Sequence, residues 1–251
     1  MKIFGKKIPM MFALVVWVLV WEIIGRLDLL FLIPPFTEVV LAVFELFGSG
    51  KFYAAIGISL ESYLVGMGLA ILVGIPLGIL MGRVKLIDEL AGVWVNIFVS
   101  APLTAVIPAL MAIVGTGQTT VTVSAMLFAV WIITLDTRAG VKNINRSLVE
   151  MTRSFGGSTK DLYVKVIFWS ALPEVLAGLR LGLIRGVRGV VVGQLLIAII
   201  GLGELFELYS RNFLMDSFWA LVIMIFIFAY LLSEVVNRLE QKVEFYAGQR
   251  E

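Results

Sequence analysis

Polar positions in this chain are sparse and clustered, and the apolar stretches between them are long. Six such stretches lie at about 8–25, 57–81, 89–114, 119–136, 172–199 and 217–237. Each is near or above the roughly 20 residues a helix needs to cross a bilayer core. The pattern predicts an all-α integral membrane protein with about six transmembrane helices. The first run follows Lys2, Lys6 and Lys7 as a signal peptide would. No small-x-small cleavage site follows it, and it continues into Trp21, Glu22, Ile23 and Ile24, so it reads as a retained span. Between the first two runs, Pro34 and Pro35 stop the chain and Thr37 reads as an N-cap. Val39, Val40, Val43, Phe44 and Phe47 then predict a short amphipathic helix on the outer surface, ended by Gly48 and Gly50.

Composition supports the membrane reading and narrows the chemistry. With 60% hydrophobic and 15% charged residues in 251, and a mean hydropathy of +1.01, the chain is too apolar for a soluble domain of this length. It has no cysteine and no histidine, which removes disulfides, thiol catalysis, thiolate or imidazole metal sites and the usual general base. The net charge of +2 gives no reason to expect nucleic acid. The placement of the charges is more telling. With both termini inside, the inner segments hold Lys2, Lys6, Lys7, Arg83, Lys85, Arg138, Lys142, Arg146, Arg153, Lys160, Lys165, Arg238, Lys242 and Arg250; the outer ones hold Arg26, Lys51 and Arg211. This asymmetry predicts cytoplasmic termini. No repeat or linker divides residues 1–251, so the chain reads as one transmembrane domain with an inner loop at 137–171. No phosphate-binding G-x-x-x-x-G-K-[ST] loop occurs in it.

That inner loop is the longest polar interruption. Val141, Ile144, Leu148, Met151 and Phe155 recur at spacings of 3, 4, 3 and 4, which predicts one apolar helix face. Arg146 and Glu150 stand at i,i+4 on another face. Gly156 and Gly157 supply the positive φ that ends such a helix. Ser158, three residues before Asp161, caps a second short helix, and Pro173 then starts the fifth span.

In the fifth span, Gly178, Gly182 and Gly186, with Gly189 and Gly193, fall within roughly 80° of one another at about 100° per residue, a close-packing face. Gly74, Gly78 and Gly82 form a second small-residue stripe. Arg180, Arg185 and Arg188 lie on another side of the fifth span. Arg180 is near enough to the inner boundary to snorkel. Arg185 and Arg188 are deeper, where a charge faces protein or water and is a candidate for the solute path. The competing expectation is that Arg188 pairs with Glu22, Glu204 or Glu207. Pro102 and Pro108 interrupt the third span, freeing carbonyls for a cavity or for side chains such as Thr104.

These residues resemble a family. Glu150, Met151, Thr152 and, after three residues, Gly156 look like the E-A-A-x-x-x-G loop of ATP-binding-cassette (ABC) importer permeases. Ser170-Ala171-Leu172-Pro173-Glu174-Val175-Leu176-Ala177-Gly178-Leu179-Arg180-Leu181 looks like the A-A-L-P-x-x-L-x-G-L-R-L segment that follows it. Trp21-Glu22, Val73 to Gly78, Pro102, Ile107-Pro108 and Gly201-Leu202-Gly203 match further, and the nearest branch is the nitrate, sulfonate, taurine and bicarbonate permeases.

The resemblance implies a type I importer permease fold in a prokaryotic inner membrane. It also implies a coupling loop of Glu150, Met151, Thr152, Arg153, Gly156, Gly157, Ser158 and Asp161 that docks on ATPase subunits. Two such subunits, a second permease making a homodimer, and an extracytoplasmic solute-binding protein are the implied partners; ATP and Mg belong to the ATPase, and this chain carries no cofactor of its own. The sequence departs from the family in four places. Met151 and Thr152 replace two alanines; Val166-Ile167-Phe168-Trp169 replaces I-x-L-P; Arg188 stands where an apolar residue is usual; Gln194 stands where glutamate is usual. Losing an acid and gaining a base makes this region more positive, which suits a small anion or polar organic solute. The alternative reading is a self-sufficient channel or secondary carrier for a small anion. An intramembrane enzyme lacks the residues it needs.

Overall fold

The computed structural model describes residues 2–3, 6–7 and 10–248. Apart from a two-residue antiparallel pairing of Lys2–Ile3 with Lys6–Lys7, every regular element among them is a helix. The helices are α1 (Met10–Arg26), α2 (Phe36–Phe47), α3 (Gly50–Arg83), α4 (Lys85–Ser100), α5 (Ile107–Val114), α6 (Gln118–Lys142), α7 (Arg146–Ser154), α8 (Thr159–Asp161), α9 (Phe168–Ile197), α10 (Gly201–Arg211) and α11 (Met215–Gly248). A 3₁₀ turn, Leu103–Val106, precedes α5, and a π-helical segment, Leu162–Ile167, joins α8 to α9.

The bundle is organised around α6, and the glycine stripes are the reason. On α3, a methyl group at Gly66, Gly74, Gly78 or Gly82 would lie 2.6–3.0 Å from atoms of α6 at Thr122, Ile133, Thr137 and Val141 in turn. The partners advance with the glycines, so α3 and α6 run parallel. On α9, Gly178, Gly182 and Gly189 meet Asp136, Ile133 and Ser124, so α9 runs antiparallel to α6 on its other side. Small residues let three backbones approach closely where lipid gives no hydrophobic drive for association. Tyr63, Met67, Val121, Ala125, Ala129, Ile133, Val187 and Val190 form the apolar centre of this sandwich.

At the end of the bundle remote from α7, a second apolar cluster joins Val39, Ala42 and Leu46 of α2 to Phe52, Leu205, Phe206 and Leu221. The face of α2 that is buried is therefore Val39, Ala42 and Leu46; Phe44 and Phe47, expected on it, are exposed. Thr37 is not the cap either. The helix starts at Phe36, and Glu22 of α1 accepts from the Thr37 N–H (2.9 Å) and hydroxyl (3.0 Å), capping α2 from outside.

Three expected boundaries change. The run 57–81 sits inside a 34-residue helix that starts at Gly50. The run 89–114 is not one span, because α4 and the Leu103–Val114 segment are bent by 100° around Ala101-Pro102. Pro102 starts the break; Pro108 sits harmlessly in the first turn of α5, where its missing N–H is not needed. Finally, Pro173 does not start the fifth span. Helical backbone runs unbroken from Thr159 to Ile197 with Pro173 inside it, and turns by 50° into α10.

Candidate functional site

The helix predicted for the inner loop is broken in two. α6 ends at Lys142, and Asn145 restarts the chain as α7 by accepting from the Ser147 N–H at 3.0 Å. Val141 therefore stays in the bundle, where it packs with Leu162, Ile167, Ala171 and Val175, while Leu148, Met151 and Phe155 project outward. Phe155 is 85% exposed, which is costly for an unpartnered aromatic. Beside this apolar face, Glu150 is exposed and forms no ion pair among the described residues; the expected pairing with Arg146 is not made.

The turn after α7 is fixed by its two glycines for different reasons. Gly156 has φ +73°, and its N–H bonds the Arg153 carbonyl at 3.0 Å. Gly157 has no positive φ. It bonds the Thr152 carbonyl at 2.9 Å, and a methyl there would lie 2.7 Å from that oxygen. The Ser158–Asp161 capping box is present in both directions. Asp161 also pairs with Lys165 at 2.7 Å. Lys165 first, and then Ser158, hold its carboxyl down at about 2.

This loop is rooted in the bundle. The Arg83 guanidinium, at the end of α3, sits 5.9 Å from the ring centre of Tyr163 in the π segment. Asp88 of α4 pairs with Arg138 and, at 2.5 Å, with Lys142 of α6.

On α9 the arginines have separate surroundings. Asp136 of α6 lies within electrostatic range of Arg185, in space left by Gly178. Side chains on a helix lean toward its N-terminus, so Arg185 reaches back toward the level of Asp136. Arg188 is exposed and makes no ion pair among the described residues: Glu22 pairs with Arg26 and Glu207 with Arg211. Gln194 is fully buried, with its amide against the Ser59 hydroxyl (2.9 and 3.0 Å), and Ser59 also accepts from the Leu202 N–H at 3.4 Å. Gly201 (φ +62°) and Gly203 close over it, where a methyl would lie 2.2 Å and 2.1 Å from Gln194 atoms. Thr104 is exposed in the break between α4 and α5. The structure thus groups the loop residues at one end of the bundle and Arg185 and Arg188 farther along α9, with Gln194 in a packed joint and Thr104 on a separate element.

Sequence reasoning missed Asp136, Ser59 and Arg83. Each is an ordinary single residue in its own run, and only the parallel pairing of α3 with α6 and the antiparallel pairing of α9 give it a partner.

The family described as binding-protein-dependent transport system inner membrane component matches residues 74–245. The chain belongs to this family. It is 27% identical to the taurine transport system permease protein TauC of Escherichia coli over 94% of this chain and 89% of that one. It is 26% identical to the bicarbonate transport system permease protein CmpB of Synechocystis over 84% of this chain and 80% of that one. Among solved structures it resembles the inward-facing MetNI methionine ABC transporter, with a TM-score of 0.63 and 23% identity over 75% of this chain and 94% of that one. The permease therefore has the type I importer fold, and it is a membrane-embedded subunit of an ABC importer.

Proposed function

We propose that the permease carries a small anion or polar organic solute inward, driven by ATP hydrolysis on two separate subunits that bind ATP and Mg and dock on the α7–α8 loop. A second copy of the chain completes the path, an extracytoplasmic binding protein delivers the solute, and both termini face the cytoplasm. The observation that carries this reading is the unbroken helix from the Ser158 capping box, through the π segment and Pro173, to Arg185 and Arg188. A displacement of the loop moves the arginines with it, because a helix is stiff along its axis and this one is anchored at its base by Leu162 and Ile167.

Exposed apolar side chains beside a free carboxylate at Glu150 suit a groove on a partner protein. The solute class rests on the deep positive charge of α9 and on relatives named for taurine and bicarbonate transport. Coupling is tested in reconstituted vesicles by solute-stimulated ATP hydrolysis. Glu150→Ala and Gly156→Val are expected to abolish the stimulation while membrane insertion persists; unchanged stimulation overturns the assignment. A self-sufficient carrier would instead transport without ATP.

A further inference from the structure

We propose that a crevice between α3, α9 and α11 is a binding site for one phospholipid acyl chain. The crevice encloses about 200 Å³ and is walled by Phe52, Ile56, Leu60, Val191, Met224 and Phe228, with Val187 and Val190 at its back. Apolar cavities of about 150 Å³ stay dry and take up small hydrocarbons. Two polar side chains reach the wall, and both are engaged elsewhere. The Ser59 hydroxyl bonds the Ala55 carbonyl at 2.8 Å and Gln194, and the Tyr63 hydroxyl donates to the Leu183 carbonyl at 3.2 Å. Nothing is left in the crevice to bind water or a polar solute, so this space is distinct from the charged side of α9.

Shape and access point to a lipid tail in particular. From Phe52 to Tyr63 the wall follows α3 for eleven residues, about 16 Å. That is about half of a 30 Å hydrocarbon core, the depth of one leaflet, and it lies along the direction in which tails run. The inner wall is closed, with Phe52 and Leu221 each 1% exposed, whereas Leu60 (41%) and Phe228 (43%) stand at the mouth. α11 packs on α2, α9 and α10 but makes little contact with α3, so the mouth opens between α3 and α11 to the surrounding bilayer. Tails at that surface are the most abundant hydrocarbon available to fill it. A bound tail wedges α11 against the face of α9 formed by Val187, Val190 and Val191.

The test uses the permease as extracted from the membrane with its native partners and placed in nanodiscs. The nanodiscs contain phosphatidylethanolamine bearing a diazirine on one acyl chain, and cross-links are mapped by peptide mass spectrometry. Labelling is expected at Ile56 and Met224, and Val191→Trp, or independently Ile56→Phe read at Met224, is expected to cut it at least tenfold while labelling at the outward-facing Leu72 stays constant. Equal labelling in the filled variants overturns the site, as does a crevice labelled no more than Leu72. Because the chain has no cysteine, Leu60→Cys provides a separate check. Efficient disulfide formation between two copies would show that protein, and not lipid, covers the mouth; absence of that disulfide alongside the labelling supports the lipid.

Discussion

At the scale of single residues, contact distances decide which positions tolerate change. Gly203 packs on the Gln194 carbonyl at a distance no methyl group accepts. Gly203→Ala is therefore expected to destabilise the permease by about 1–3 kcal/mol, seen as a lower Tm in detergent. Gln194→Ala removes the hydrogen bonds between its amide and the Ser59 hydroxyl in a buried joint and is expected to cost about 1–3 kcal/mol. Arg188 behaves differently. It is exposed on the isolated chain, so Arg188→Ala is expected to leave the folding stability within about 0.5 kcal/mol of wild type, read as a nearly unchanged Tm. On the proposed function it also lowers transport at least tenfold, with Arg188→Lys restoring part of the loss. Wild-type uptake by Arg188→Ala would remove this residue from the path.

At the scale of elements, the loop is a rigid unit whose parts can be tested separately. Phe155→Asp keeps the Gly156 turn but places a charge on the exposed apolar face of α7, and it is expected to release the ATPase, as read by copurification, without altering Tm. The capping box also gives a pH expectation. The Asp161 carboxyl is held at about 2, below its ordinary 3.8, so its contribution to the folded loop is complete above about pH 4 and is lost only as pH falls through about 2. Coupled ATP hydrolysis is therefore expected to show no Asp161-dependent change between about pH 5 and 9, checked by comparing wild type with Asp161→Asn across that range.

How much was legible also depends on the element. Helical runs, glycine stripes and the Ser158–Asp161 box were readable because each follows from local spacing. The break at Ala101-Pro102 and the failure of Pro173 to start a helix were not. A proline in an apolar run is compatible with a cap, a kink or a break, and only tertiary packing selects among them. Thr37 was misjudged because its cap comes from Glu22, 15 residues earlier, across the turn between α1 and α2. Asp136 was invisible for the same reason, as its place opposite Arg185 depends on α6 and α9 lying antiparallel.

At the scale of the whole molecule, the described chain leaves much apolar surface without a protein neighbour. α1 is tied to the bundle at one end, where the Trp21 indole donates to the Pro34 carbonyl at 3.0 Å and Gly25 lies against the Pro34-Pro35 backbone. Below that, Leu14, Val15, Val16, Trp17 and Leu19 are all more than 40% exposed, and they point in all directions around the helix. A helix packed on its own bundle would hide one face. Lipid can cover such a surface, and so can a second permease. The exposed α7 face cannot be covered by lipid, because it lies beyond the membrane-spanning runs on a loop rich in charge. The two surfaces therefore call for different partners, and they should separate under extraction. In native mass spectrometry from mild detergent, the complex is expected to contain two copies of this 27.7 kDa chain and two ATPase subunits. Phe155→Asp should remove the ATPase subunits and leave the permease pair. A monodisperse preparation of the single chain that transports solute without ATP would overturn both the pairing and the coupling, whereas a permease pair without ATPase in the wild type would overturn the coupling alone.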